Sequence, residues 1–529
     1  MEENKHNGHV EPASESDQST NGIMMDRRKL LKAIGATSVA VVAGGLINGN
    51  IASAFNEKAG EKGKKDKGGK GQGADCCDEL SELIGDPQLF RPEDADLIAK
   101  MLNESTERAV NLGWFSPAGN GTTDDSEAWN AAIAAVPPGG SLFVPPGTYF
   151  SADGFVCERG DITIFGAGPS SHLTTNSQRN ALRVGTSSRM TRIANVNVHS
   201  LKFSQQAGPS GSGEANNYSG LKSWFVDRIV IFNNDFEYCD VAVSLAGGGH
   251  ELGFPARVSG RNIVAMNRML NTRKMGVEVF FQDNTMVYAN KMINENGVNP
   301  AESHGIRLIG SHHTMCIANE VQRFRTGISN QGGSSNGYRE SNHFINAHNK
   351  IRQCLKGIQG FEGAYNGQIL SNSIEMIREL GIEFRLESKG GWDNLTVTGN
   401  LITADPDSGA SRGATFTAGE RLIFRNNQSI GFGNGMSSGS AYHVYVSGIG
   451  KLAVVEGNYF EDNYYISGSG RNRGVRVDNN AKTVISRNNV FLSPSPNASQ
   501  QNSQDASNST GALIKGYAGV EDMNDYLHL

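Results

Sequence analysis

The chain has 529 residues, with 48 Lys and Arg against 54 Asp and Glu, and a formal net charge of −6. No basic stripe with interleaved aromatics runs through it, which argues against nucleic acid as a partner. Glycine contributes 65 residues, above the usual share of about 7%, without the triplet period of collagen. Set among Asn and β-branched residues, so much Gly signals many turns.

Residues 1–26 are polar. Asp26-Arg27-Arg28-Lys29-Leu30-Leu31-Lys32 follows, then an apolar run from Ala33 to Ile51 and the small-x-small site Ala52-Ser53-Ala54. This resembles a twin-arginine export signal over residues 1–54. It implies the twin-arginine machinery as a partner and a secreted or cell-surface destination. Gly35, Gly44, Gly45 and Asn48 dilute the run, so no stable membrane span is expected after processing. Residues 55–75 read as a Lys/Gly linker, a solvated spacer. Residues 76–112 read as a helical segment, broken early by Pro87 and Pro92, with Leu97, Met101 and Leu102 on one face. Cys76 and Cys77 sit at the linker edge. Cys157, Cys239, Cys316 and Cys354 make neither a disulfide framework nor a zinc spacing, and are expected to be small buried apolar residues.

Phe115 to Phe150 is the most informative stretch. Asp124 and Glu127 form a capping-box pattern that starts a helix, and Trp129, Ala132, Ile133 and Val136 give it one buried face. Pro137-Pro138-Gly139-Gly140 stops it. A strand from Ser141 to Val144 runs into Pro145-Pro146-Gly147, and a second strand starts at Thr148. The order Gly119-Asn120-Gly121-Thr122-Thr123-Asp124-Asp125, helix, strand, Pro145-Pro146-Gly147-Thr148-Tyr149 resembles the opening module of pectate-lyase superfamily proteins related to polygalacturonases. The resemblance implies an all-β fold, a right-handed single-stranded parallel β-helix with an N-terminal helical cap. It also implies a polysaccharide partner. Asp124 and Asp125 belong to the turn and cap rather than to catalysis.

A repeat follows from about Ile229: a strand, an Asn, a short strand, then Gly-aliphatic-x. The Asn residues are Asn234, Asn267, Asn290, Asn319, Asn349, Asn372, Asn400, Asn427, Asn458 and Asn489. Their mean spacing is about 28 residues, a solenoid period. Asn tolerates left-handed backbone and can bond its neighbour one rung above, so a stacked Asn ladder is expected. The β-helix domain is placed at 113–495, followed by a Ser/Asn/Gln-rich linker at 496–511 and a C-terminal cap segment at 512–529.

The Gly-aliphatic-x signal aligns rungs at Gly276-Val277-Glu278, Gly305-Ile306-Arg307, Gly327-Ile328-Ser329, Gly357-Ile358-Gln359, Gly381-Ile382-Glu383 and Gly474-Val475-Arg476, with Ala242 in the Gly slot before Val243-Ser244. The aliphatic points inward and the next residue outward. Ser244, Glu278, Arg307, Ser329, Gln359 and Glu383 then stack in one outward column, and Phe280, Ile309, Gln331, Phe361 and Arg385 in a second. The Asn-to-Gly interval lengthens at Asn290 to Gly305, Asn400 to Gly413 and Asn458 to Gly474. These insertions wall a groove on one edge.

The candidate catalytic residues are Glu278, Glu302, His304, Arg307 and Glu383. Arg307 would neutralise a sugar carboxylate, and His304, able to titrate near neutrality, would handle a proton. The substrate-binding candidates are Phe280, Phe361, Arg385, Tyr445 and Arg476. Hydrolysis needs two carboxyls about 5–9.5 Å apart. Glu278 and Glu383 are four rungs apart, so Glu278 with Glu302 or Asp283 is the first choice, and Glu383 with Glu362 and Glu387 the second. Ser303-His304-Gly305-Ile306-Arg307 is the nearest match to the polygalacturonase signature, and the aspartate elements of that signature have no counterpart. No obligatory metal is expected. Asp405 and Asp407 form the one loop where calcium could find clustered oxygens. The reading is an exported glycoside hydrolase or polysaccharide lyase. The alternative is a non-catalytic glycan-binding or structural β-helix, monomeric or trimeric.

Overall fold

The computed structural model describes residues 109–176, 178–205, 218–248, 257–295, 303–332, 339–386, 391–433, 440–462, 471–478, 481–492 and 499–502. All lie in one of the chain's two compact units, formed by Gln88–Phe90 and Lys100–Leu529. The twin-arginine segment, the Lys/Gly linker, Cys76, Cys77 and the 512–529 cap lie outside the described residues.

The described strands coil into a parallel β-helix. Each turn contributes one strand to each of three parallel sheets, so successive members of a sheet come from successive turns. The first sheet has 15 strands and runs from Ala109–Asn111 to Val484–Arg487; the second has 14, from Asn120–Asp124 to Val490–Leu492; the third has 13, from Phe155–Cys157 to Ser499–Asn502. Ala109–Asn111 therefore closes the sheet where the predicted helical segment was to end, and Ser499–Asn502 extends the third sheet into the predicted linker.

Alternation along each strand builds the core. Leu142, Ile164, Val198, Ile231, Val264 and Val287 are stacked inward from the first sheet, Phe203, Phe236, Met269, Met292 and Val321 from the second, and Val277, Ile306, Ile328, Ile358 and Ile382 from the third. Each such side chain contributes about 1.5–3 kcal/mol on burial. Cys157, Cys239, Cys316 and Cys354 are free and buried in it. Burial pushes the Cys157 thiol up to about 11 and those of Cys239 and Cys354 up to about 12, so they are inert.

The ten ladder asparagines are all buried. From Asn234 to Asn458 each donates its Nδ2 to the Oδ1 of the next one along, at 2.8–3.1 Å. The left-handed backbone is not theirs, however. It belongs to the residue before each of them: Asn233, Met266, Ala289, Ala318, His348, Ser371, Gly399, Asn426, Gly457 and Asn488. The preceding residue turns the corner, and the Asn side chain then satisfies the corner's inward-facing polar groups.

The Gly of Gly-aliphatic-x faces inward together with its aliphatic neighbour. A Cβ on Gly305 would lie 2.2 Å from Val321 Cγ1, and one on Gly357 2.3 Å from the Gly381 carbonyl oxygen. The slot therefore excludes side chains where core and next rung come closest.

At the N-terminal end the helix runs Ser126–Ala135, one residue later than the capping-box pattern predicts. Its N-cap is Asp125, whose side chain makes no cap bond. Asp125 instead accepts from the backbone N–H of Ala118 at 2.6 Å and of Phe150 at 3.2 Å. Asp124 accepts from Ser126 N–H at 2.8 Å and Ala152 N–H at 3.1 Å. The Asp124-Asp125 pair thus staples the opening turn to the strand Gly147–Ser151, a structural role. Trp129 and Ala132 face the core, Ile133 only partly, and Trp129 Nε1 donates to the Val156 carbonyl at 2.8 Å.

Candidate functional site on the third sheet

The third sheet aligns Lys222, Ser244, Glu278, Arg307, Ser329, Gln359, Glu383, Thr415, Tyr445 and Arg476 in one outward column. Two residues on, Trp224, Ala246, Phe280, Ile309, Gln331, Phe361 and Arg385 form the second. A third column, not anticipated, starts these strands: Met275, His304, Thr326, Lys356, Leu380, Arg412, Tyr442 and Arg473. The inward Gly explains its register, because the strand pairs skip that residue.

Outward does not mean exposed here. Glu278 is 5% exposed, Arg307 7%, Glu383 7% and Lys356 9%. Charges this well shielded need partners. Ser244 Oγ donates to Glu278 Oε2 at 2.8 Å. Arg307 donates from Nη2 and Nε to Gln331 Oε1 at 2.9 and 3.3 Å, and Gln331 Nε2 donates to Glu362 Oε2 at 3.2 Å. Lys356 Nζ lies 2.6 Å from Glu383 Oε2, and Arg385 Nη1 3.7 Å from Glu383 Oε1. Ser329 Oγ and Thr415 Oγ1 are enclosed on this floor without a hydrogen-bond partner.

His304 departs from its predicted titration. Burial, with Arg307, Arg325 and Lys356 around it, pushes its imidazole down to about 3. The ring is therefore neutral at neutral pH, and its enclosed Nδ1 has no hydrogen-bond partner. Phe280 also departs from expectation: it packs with Phe281, 4.9 Å between ring centroids, and Ile309 in a small apolar cluster. Phe361 and Arg385 are half-buried at the edge of the floor.

Some predicted partners are not brought together. Asp283 lies past the turn at Phe281, in a short strand paired with Ser259–Gly260, and binds Arg339 at 2.5 Å. It is tied there rather than set beside Glu278. Glu302 and Glu387 lie outside the described residues. Asp405 accepts from Arg378 Nε at 3.2 Å and from Asp407 N–H at 3.1 Å, so its carboxylate closes a turn and an ion pair. Among the described residues no three His, Cys, Asp or Glu side chains gather as a metal site.

Tyr445 and Arg476 join a cluster that the sequence only half revealed. Arg476 Cζ lies 4.9 Å from the Tyr442 centroid and 5.5 Å from that of Tyr445. Arg412 stands 5.1 Å over Tyr445 and Arg473 5.7 Å over Tyr442. Asp478 accepts from Arg476 Nε at 3.0 Å and from the Tyr445 hydroxyl.

Sequence reasoning also missed His443. It occupies the slot that Gly413 fills on the previous rung. Its ring is fully buried, with Nδ1 2.8 Å from Ser429 Oγ, Nε2 2.9 Å from Asp462 Oδ1, and a stack on Phe460 at 5.3 Å. A Ser-His-Asp order is present, but Ser429 is 0% exposed, so the trio is a core hydrogen-bond knot and not a nucleophile. Its signal in the sequence was the missing Gly between Tyr442 and Val444.

No protein-family model matches the chain, and no curated protein matches it. Solved structures do. The bacteriophage Phi29 gene product 12 N-terminal fragment is 14% identical with a TM-score of 0.50, covering 75% of this chain and 73% of that one. The Azotobacter vinelandii mannuronan C-5 epimerase AlgE6 A-module is 15% identical with a TM-score of 0.49, covering 76% and 99%. The Streptococcus pneumoniae surface protein and adhesin PfbA is 10% identical with a TM-score of 0.49, covering 74% and 99%. At such identities the likeness concerns the fold alone. Among the described residues no helix is long and apolar enough to cross a membrane.

Proposed function

We propose that this is an exported polysaccharide lyase acting on an anionic glycan laid along the outer face of the third sheet. The observation that carries the reading is the shielded, cation-rich floor around one neutral imidazole. Arg307 and Lys356 oppose a sugar carboxylate, which lowers the cost of removing the proton beside it. His304, held neutral by burial and by these same cations, gains basicity when the bound sugar carboxylate offsets them and takes that proton. As it does so, the C4–O bond to the leaving sugar breaks, a C4=C5 double bond forms and the departing oxygen is protonated by water, while Glu278 fixes the sugar through its hydroxyls. Hydrolysis fits less well. Asp283, a partner expected for Glu278, is tied to Arg339 past the turn. Of the second expected pair, Glu362 accepts from Gln331 while Glu383 pairs with Lys356, whereas hydrolysis needs two carboxyls facing one bond. Export follows from the twin-arginine signal expected at residues 1–54.

A second reading has its own support. Glu278 and Glu383 are both engaged within the floor, by Ser244 and Lys356, as they would be in a non-catalytic binding surface. The two readings part on a panel of pectin, polygalacturonate, alginate and rhamnogalacturonan, followed for reducing ends and for the ultraviolet absorbance of unsaturated uronates. The lyase reading expects both signals on one polymer, both abolished by Arg307→Ala and by His304→Gln, with polymer retention kept in the latter. Reducing ends without the ultraviolet signal would make it a hydrolase. Retention without either signal would make it a binding protein.

A further inference from the structure

Trp224 lies on the third sheet in register with Ala246 and Phe280, three steps before the strand that carries His304. Three cations gather on its ring. Arg189 Cζ stands 3.8 Å from the centroid, Arg183 5.1 Å, and Lys222 Nζ 5.9 Å. Glu158 pairs with Arg183 at 2.7 Å. Trp224 is 6% exposed, yet its indole Nε1 is enclosed and has no hydrogen-bond acceptor. A buried indole N–H normally finds one. At the other end of the same sheet, Arg412, Arg473 and Arg476 stand over the rings of Tyr442 and Tyr445, and Arg476 pairs with Asp478. The same chemistry, aromatic faces under several cations, is thus built twice on a chain whose net charge is −6.

We propose that these clusters are two end stations that grip one polyanionic polysaccharide, with the central floor between them. This rests on the reading of the third sheet as the glycan surface and adds the ligand's charge and its minimum length. Eight inter-strand steps separate the strand of Trp224 from that of Tyr442, about 38 Å at the usual spacing. An oligomer shorter than this span reaches one station at a time. A longer one engages both, and the second contact is made at high effective concentration. The rings hold the cations in place, the cations take carboxylate or sulfate groups, and an acceptor oxygen of the glycan satisfies the Trp224 N–H.

The test is equilibrium binding of size-fractionated polygalacturonate to the mature protein. Fractions on either side of the span are compared at two salt concentrations. Wild type is expected to bind long fractions about tenfold or more tighter than short ones, with a steeper salt dependence for the long. Arg189→Ala at one station, or Tyr442→Ala with Tyr445→Ala at the other, is expected to reduce long-fraction affinity to the level of short fractions. Trp224→Phe, which keeps the ring and loses the N–H, reports on the donor if Trp224→Ala does not fold. Equal affinity for all lengths, or station variants that keep wild-type affinity for long fractions, would overturn the proposal. A length effect that survives Arg307→Ala while turnover is lost supports it. A length effect in a wild-type protein that never cleaves supports it too, and refutes only the lyase reading.

Discussion

Asn319 offers a measure of how much the ladder holds the rod together. Its Nδ2 donates to the Val287 carbonyl at 2.8 Å and to Asn349 Oδ1 at 3.0 Å, while its own Oδ1 accepts from Asn290 N–H and Nδ2, both at 3.0 Å. Asn319→Ala leaves the Asn290 backbone N–H and one hydrogen of its Nδ2 buried without an acceptor, while the other Nδ2 hydrogen keeps the Val264 carbonyl. Each such orphan costs about 1–3 kcal/mol, about 2–6 kcal/mol for the two. Asn394 is the control. It is exposed and donates to Asn366 Oδ1 at 2.8 Å on the outer surface, at a left-handed backbone position, so Asn394→Ala should cost about 1–2 kcal/mol, mostly from the backbone. A long repeat need not unfold in one step, so the readout is hydrogen exchange by mass spectrometry together with urea melts. Asn319→Ala should accelerate exchange in the rungs of Asn290 and Asn349 and lower the melt midpoint. If its exchange and midpoint match those of Asn394→Ala, the ladder is not a stabilising device and the reasoning fails.

Gly357→Ala places a Cβ 2.3 Å from the Gly381 oxygen and 2.4 Å from Ile374 Cγ2, and should lower stability by about 1–3 kcal/mol or more. Gly409→Ala, with nothing within 4 Å of the new Cβ, should be neutral or slightly stabilising, and urea melts compare the two. His304 falls from 6.5 to about 3 and His172 to about 4 on folding. The unfolded chain therefore binds these protons first: the stability they contribute is complete above about pH 6.5 and is lost as the pH falls toward 4 and then 3. His304→Gln should flatten that acid slope by about 1.4 kcal/mol per pH unit. An unchanged slope in melts from pH 7 to 4 would place His304 in a different environment.

The architecture was legible because it is written in local chemistry repeated many times. One Asn per corner, one Gly where rungs close up and one inward aliphatic beside it fix sheet, register and core together. The strand Ser141–Val144 and the outward order from Ser244 to Glu383 follow directly from that pattern. What the pattern could not carry was anything set between rungs of unequal length. The pairing of Lys356 with Glu383 crosses from one column to another on the next rung, and no period in the sequence links those positions. The low basicity of His304 comes first from burial and then from Arg307 on its own strand and Arg325 and Lys356 on later turns, none of which the repeat pattern sets beside it. The left-handed corner residues escaped notice because their identity varies, from Ala289 to His348 to Gly457, while the Asn after them does not.

The three outer faces carry different chemistry. On the second sheet, Lys202 with Glu237 and Arg352 with Glu375 form ion pairs with exposed or half-exposed side chains, at little cost and little gain. On the first sheet, Val230, Phe232, Ile263, Ala265 and Met286 turn apolar side chains outward, each less than 9% exposed. The third sheet puts Glu278, Arg307, Lys356 and Glu383 into comparable shielding. Replacing such a buried ionic set by apolar residues of similar volume is often neutral or stabilising by about 1–4 kcal/mol, and the first sheet demonstrates that this rod accepts apolar residues on an outer face. The scaffold therefore does not need charge at these positions. The glycan surface proposed above gives these charges a role, and the regular rung spacing that stacks the core also sets them out at even intervals along the sheet.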